Sequence, residues 1–184
     1  MPYKKRYYTK AVGRQRFASF TQLKSMVMPL NGGVSHGTIT IVENTTNQAQ
    51  YVPPVMKVKC LKAQLTAPAC PQQIIQNTGM FRAYLMYMPQ GVNFQIGLQP
   101  VGNDLTLTGT IEQHPEWIMA QKNIYISADT TNALYITSPL TRNLQSGDRI
   151  ALILIHYTQG PNQQATNGVN IPINIITNYC ARSN

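Results

Sequence analysis

The chain has 184 residues, of which 43% are hydrophobic and 11% charged, and its formal net charge is +9. This length fits one domain with an appended segment and is enough to bury a core without disulfides, so two full domains are not expected. No apolar run is long enough for a transmembrane helix and none follows the basic N terminus, so we expect neither a membrane span nor a secretory signal.

The N-terminal segment MPYKKRYYTKAVGRQRF is basic, aromatic and free of acids, and the first acid of the chain is Glu43. A strongly basic end indicates an anionic partner. Lys and Arg can meet phosphates while tyrosine and phenylalanine rings stack on bases, so nucleic acid is the predicted partner. The predicted contacts are Lys4, Lys5, Arg6, Tyr7, Tyr8, Lys10, Arg14, Arg16, Phe17 and Lys24. A solvated tail or a nuclear localisation signal are the alternatives; a membrane surface is disfavoured because the segment has no apolar helical stripe.

Beyond this segment the apolar residues follow a period of two. Residues 38–42 (TITIV) alternate as a half-buried strand does. In 55–67 (VMKVKCLKAQLTA), Val58 and Cys60 are on the apolar face at the start, and Leu61, Ala63 and Leu65 take it farther along. We therefore predict either a bulge or a change in burial between Cys60 and Leu61. A further strand is predicted over 81–88 (FRAYLMYM).

The C-terminal half gives more strands, predicted over 105–111, 118–127, 133–140, 149–158 and 173–177. The segment RIALILIHYT (149–158) is apolar on both faces, which indicates a central strand covered on each side. Near the end of the chain, Ile171, Ile173 and Ile175 alternate with polar residues or proline, as expected for one buried and one exposed face.

About eight strands with almost no helical pattern indicate an all-β fold. We predict a single eight-stranded jelly roll, a β-sandwich of two Greek keys, over residues 29–184, with residues 1–28 as a basic N-terminal arm. An immunoglobulin domain is disfavoured because the single tryptophan, Trp117, does not lie between paired cysteines. An OB-fold would leave much of the chain unused.

Three lysines of the second predicted strand are candidates to extend the basic surface of the arm. Lys57 and Lys59 occupy its polar face, and Lys62 follows. Lys57 and Lys59 are added to the predicted nucleic-acid contacts, on the hypothesis that their strand face meets the same polyanion. The alternative is that they are ordinary solvated edge positions.

No catalytic or metal-binding pattern is present in the sequence. Cys60, Cys70 and Cys180 match no zinc or redox spacing, and the three histidines have no ligand at the required spacing, so we expect no metal and no cofactor. Glu112 and Glu116 flank His114, but Pro115 prevents a helix that would bring them together. We therefore do not expect an enzyme.

The order of these segments resembles the capsid proteins of small eukaryotic viruses with circular single-stranded DNA, the circovirus-like group. The resemblance depends on the basic-aromatic start MPYKKRYYTK, the lysine-rich MKVKCLKAQLTAPACP, the strand FRAYLMYMPQG, and the later HPEWIMAQKNIYIS and SPLTRNLQSGDRIALILIHY. It covers the chain from the arm to the last strand. The arm is poorer in arginine than is usual in that group.

The resemblance implies a capsid protein that self-assembles into an icosahedral T=1 shell of sixty copies. It implies basic arms on the inside that package a circular single-stranded DNA genome, a location in the virion, and assembly in the host nucleus. Two alternatives stay open: a satellite-type shell around single-stranded RNA, and a non-viral β-sandwich module that binds nucleic acid or acidic glycans. The sequence identifies no host receptor.

Overall fold

A computed structural model describes residues 17–30, 34–45, 55–67, 81–101, 104–124, 132–157 and 169–183. No helix in these ranges is long and apolar enough to cross a membrane. The described residues form strands β1 (Ala18–Leu30), β2 (Val34–Glu43), β3 (Met56–Ala67), β4 (Phe81–Met88), β5 (Ile96–Val101), β6 (Asp104–Gly109), β7 (Ile118–Ile124), β8 (Asn132–Ser138), β9 (Arg142–Leu144), β10 (Arg149–Tyr157) and β11 (Val169–Ser183), with a short helix α1 (Thr110–Gln113) and a 3-10 turn (Pro115–Trp117).

The strands pair in a nested order. β1 pairs with β11, β2 with β10, β3 with β8 and β4 with β7, all antiparallel. Two further pairings, β11 with β3 and β10 with β4, join these ribbons into sheet A (β1-β11-β3-β8, with β9 beside β3) and sheet B (β2-β10-β4-β7). A nested antiparallel ribbon wrapped into two sheets is the jelly roll, so the predicted fold is confirmed.

The main hydrophobic core lies between the two sheets, and alternation along the strands explains which side chains enter it. In β11, Ile171, Ile173 and Ile175 are buried while the residues between them are exposed, as predicted. Strand β10 lies between β2 and β4, and residues 150–156 are buried on both faces. The prediction of a central strand there is also confirmed.

Strand β1 corrects the predicted boundary of the arm. Residues 18–28, which the sequence assigned to the arm, belong to a 13-residue strand paired along its whole length with β11. Because the N-terminal segment is strongly basic, the strand alternation that follows it was assigned to the arm. In that alternation Met26 and Met28 point into the sandwich, and Leu23 and Val27 point outward. Residues 1–16 of the predicted arm lie outside the described residues.

The outer face of sheet B is covered by the connection between β4 and β7. Tyr84, Met86 and Met88 of β4 and Ala151, Ile153 and Ile155 of β10 form a second core beneath it, against side chains of the connection and the start of β7: Val92, Phe94, Ile96, Ile111, Trp117 and Ile118. The strand predicted over 105–111 ends at Gly109, where φ is 119° and the chain turns into helix α1. The central strands β4 and β10 of sheet B are therefore buried on both sides.

Asp148 fixes the turn that precedes β10. Its carboxylate accepts hydrogen bonds from the Tyr87 hydroxyl (2.8 Å) and from the backbone N–H groups of Gln90 (3.1 Å) and Gln145 (2.9 Å). Burial, together with the hydrogen bond to Asp148, raises the pKa of Tyr87 to about 12. The carboxylate thus joins the turns beside β4 and β10.

Candidate nucleic-acid interface

The face of sheet A that points away from sheet B carries a one-sided charge. The strands of sheet A contain no acid, and four of their six basic residues point to this side: Lys57, Lys59, Lys62 and Arg182. The other two, Lys24 and Arg142, do not. We call the side of this sheet opposite the core the outer face of sheet A; it carries Thr21, Leu23, Lys57, Lys59, Lys62, Gln64, Tyr135, Asn178 and Arg182. An acid-free surface attracts polyanions over its whole area.

A bulge in β3 places three lysines on this face. Opposite Lys57, Lys59 and Lys62 stand Arg182, Cys180 and Asn178, so three residue steps in β3 match two in β11 between Lys59 and Lys62. Cys60, within this step, has φ of 55° and is exposed, so its predicted place on the apolar face with Val58 is wrong. The extra residue lets Val58 and Leu61 both point into the core. The predicted bulge is confirmed, and it aligns Lys62 with Lys57 and Lys59.

Phe17 is held against this face by two cations. The Lys59 ammonium lies 3.9 Å from the centroid of the Phe17 ring, and the Arg182 guanidinium lies 4.9 Å from the same centroid. Each is a cation–π contact, and both partners belong to sheet A. Phe17 directly follows the predicted arm cations Arg14 and Arg16. The described chain therefore begins on the basic part of the outer face.

Tyr135 gives the outer face an exposed aromatic ring. The residue is 45% exposed on β8, and the Lys62 ammonium lies 4.5 Å from its ring centroid. Its backbone carbonyl accepts a hydrogen bond from the Lys122 ammonium at 2.9 Å. Tyr135 was not among the residues predicted from the sequence, and neither was Arg182, because their closeness to the lysines of β3 depends on pairing between distant segments.

Lys24 does not lie on this face, contrary to the grouping predicted from the sequence. Its ammonium donates hydrogen bonds to the carbonyls of Thr40 and, at 3.3 Å, Ile41 in β2. The pairing of β2 with β10 has an irregularity at this point, between Ile150 and Ala151. Lys24 therefore joins the edges of the two sheets. Sequence alternation alone could have shown that it shares a strand face with Met26 and Met28.

The remaining predicted contacts lie outside the described residues. These are Lys4, Lys5, Arg6, Tyr7, Tyr8, Lys10, Arg14 and Arg16. Of the predicted residues that the structure describes, Phe17 and Lys59 are in contact, and Lys57 lies two residues from Lys59 on the same strand. Lys24 lies elsewhere.

The EQHPE segment forms a small polar cluster between β6 and β7, and Arg142 of sheet A donates a hydrogen bond to the Glu116 carbonyl. The His114 ring stacks on Trp117 with centroids 3.7 Å apart, and its Nδ1 lies 3.1 Å from the Glu116 carboxylate. A backbone hydrogen bond and the contact with His114 lower the pKa of Glu116. Within the described ranges, no three His, Cys, Asp or Glu side chains are placed to hold a metal ion.

No protein-family model and no curated protein matches the chain. One solved structure, described as the 60-mer BFDV capsid protein, resembles it over 90% of this chain and 93% of that chain, with 10% identity and a TM-score of 0.35. At these values the likeness is too weak to assign a fold, and the nested strand pairing defines the fold of this chain on its own.

Proposed function

We propose that this chain is a structural subunit that assembles with copies of itself into a small icosahedral shell and packages single-stranded nucleic acid. The observation that carries the proposal is the outer face of sheet A, where lysines and an arginine lie without an acid among them and Phe17 brings the basic arm to the same place. The sequence resemblance favours a circular DNA genome over RNA and a shell of sixty copies.

Charge supports a polyanionic partner. The arm contributes Lys4, Lys5, Arg6, Lys10, Arg14 and Arg16, and the outer face adds Lys57, Lys59, Lys62 and Arg182. The arm is joined to the domain at Phe17, which lies beside Lys59 and Arg182 of the outer face. Binding through phosphates carries no base information, so packaging is expected to be independent of sequence and weakened by salt.

Exposed apolar side chains support self-association. Leu23 is 75% exposed and Val27 is 58% exposed, both pointing outward from β1. The two side chains lie on one face of the same strand, and exposed apolar area on a folded domain favours burial against a partner. A second copy of the chain is the partner that shell assembly supplies. The proposed role is structural rather than catalytic, and the His114–Glu116 pair is assigned no reaction.

The test is size-exclusion chromatography of the recombinant protein with absorbance at 260 and 280 nm, followed by negative-stain microscopy of the void fraction. Uniform spherical particles with high absorbance at 260 nm are expected. A monomer-sized peak that persists at low salt, at high salt and with added nucleic acid would exclude the shell and leave a β-sandwich binding module. Digestion of the extracted nucleic acid with DNase or RNase identifies its type.

Deletion of residues 1–16 separates the two parts of the proposal. The truncated chain keeps every residue of the described strands, so we expect it to fold and to carry less copurifying nucleic acid, measured by the ratio of absorbance at 260 and 280 nm. An unchanged ratio in assembled truncated particles would show that the arm does not contribute to packaging.

A further inference from the structure

The lysines of β3 are evenly spaced along the outer face of sheet A. Lys57 and Lys59 are two residues apart, and Lys62 lies two partner residues beyond Lys59 because of the bulge. With a rise of about 3.4 Å per residue in antiparallel strands, each interval spans roughly 7 Å. We call these three side chains the lysine ladder. If the residues from Lys59 to Lys62 alternated regularly, without the bulge, Lys62 would point into the core.

The surroundings of the lysine ladder favour anions and bases over other ligands. Arg182 stands opposite Lys57, and the amide of Asn178 stands opposite Lys62, on the neighbouring strand β11. At the far end of the ladder Tyr135 presents its ring beside Lys62. A row of cations that ends at an exposed ring matches the alternation of phosphate and base in a nucleic-acid strand.

We propose that the lysine ladder is a binding track for one extended single strand, with successive phosphates on Lys57, Lys59 and Lys62 and one base stacked on Tyr135. This inference rests on the proposed function and adds to it a site on the folded domain that is distinct from the arm. With an interval of roughly 7 Å between them, the three ammonium groups can each reach a different phosphate of an extended single strand.

The shape of this face disfavours duplex DNA as the ligand. The outer face consists of side chains on strands, and no helix among the described residues projects from sheet A to enter a groove. A duplex would rest on the sheet with few phosphates in reach and with its bases stacked inside. A single strand can turn its bases onto the sheet.

The first experiment measures binding of fluorescent oligothymidylate to the full-length protein by anisotropy over a series of salt concentrations. Each of Lys57→Gln, Lys59→Gln and Lys62→Gln removes one phosphate contact, so the slope of log K against log salt should fall by about 0.7 per substitution. Arg82→Gln on sheet B removes the same charge away from the track and should keep the wild-type slope. Wild-type slopes in all three lysine variants would overturn the proposal.

The second experiment tests the ring. Tyr135→Leu should weaken binding of oligothymidylate by about tenfold, whereas Tyr135→Phe should retain it, because stacking needs the ring and not the hydroxyl. An abasic oligonucleotide of equal length should bind both variants as it binds the wild type. Equal affinity of Tyr135→Leu and wild type for oligothymidylate would show that no base stacks on Tyr135.

These results can be told apart from failure of the proposed function. If the wild-type protein binds no oligonucleotide, the packaging role itself is wrong. If the wild type binds and only the arm deletion changes the salt slope, the packaging role stands and the lysine ladder is not part of it. Tighter binding of a duplex of the same length than of the single strand would also overturn the track.

Discussion

Lys59 and Lys62 lie on the same face of sheet A although an odd number of steps separates them in the sequence. Opposite them, Cys180 and Asn178 are two residues apart, so β3 contains one residue more than its partner at this point. In a regular strand the two ammonium groups would point to opposite faces. The bulge therefore determines both the burial of Leu61 and the position of Lys62 beside Tyr135.

The backbone at Cys60 predicts how this position tolerates substitution. Its φ of 55° lies in the left-handed region, which costs a residue with a Cβ about 1–2 kcal/mol and is worse for β-branched side chains. In Cys60→Gly the relief of this cost is offset by the greater freedom of glycine in the unfolded chain, so the free energy of unfolding should change little. Cys60→Val should lower it by about 1–2 kcal/mol. Urea unfolding followed by circular dichroism measures both. Equal stability of the two variants would show that the bulge has another conformation in solution.

Lys24 is expected to stabilise the fold rather than to bind nucleic acid. Lys24→Met keeps the aliphatic part of the side chain but leaves the carbonyls of Thr40 and Ile41 without the ammonium. The free energy of unfolding should fall by about 1–3 kcal/mol. Lys57→Met, on the outer face, is the matched control and should change stability little. A Lys24→Met variant with unchanged stability and reduced nucleic-acid content would show that Lys24 binds nucleic acid rather than stabilising the fold.

Gly109 and Gly91 form a matched pair for testing the connection between β4 and β7. Both have positive φ, of 119° and 78°, but a Cβ at Gly109 would collide with the Gln95 carbonyl, whereas at Gly91 no atom lies within 4 Å. Gly91→Ala should cost about 1 kcal/mol from backbone strain alone. Gly109→Ala should cost about 3 kcal/mol because overpacking adds to the strain. Thermal melts of the two variants give the comparison, and similar melting temperatures would contradict it.

Burial of the His156 ring predicts that the protein loses stability in mild acid. The side chain is 2% exposed, packs against Phe81 with ring centroids 4.7 Å apart, and has no hydrogen-bond partner for either ring nitrogen among the described residues. Burial lowers the pKa of His156 to about 4 from its ordinary value of 6.5. The unfolded chain therefore binds a proton more readily than the folded chain between these values.

The sign of the effect follows from this difference. The contribution of neutral His156 is fully present above pH 6.5 and is lost as the pH falls toward 4, by about 3 kcal/mol in total. His156→Leu should remove this part of the acid dependence. Urea unfolding at several pH values between 7 and 4 compares the two proteins. Parallel curves for wild type and variant would show that His156 does not titrate in this range.

Several structural features could be predicted from alternation alone. Residues 149–158 were identified as a central strand because apolar residues occupy both faces, and β10 is buried on both sides. The apolar alternation of β3 changes phase between Cys60 and Leu61, and this change predicted the bulge, because apolar residues on both sides of it have to face the same core. In each case burial acts on neighbouring residues, so the local pattern records it.

By itself, the sequence determined the fold class, the central strand, the bulge and the basic, acid-free N-terminal segment, because composition and period depend only on nearby residues. The tertiary structure decided that residues 18–28 form a strand, that Lys24 turns inward, and that Arg182 and Tyr135 join the lysines of β3. These relationships arise where segments far apart in the chain pair, and no local pattern encodes which distant strand becomes the neighbour.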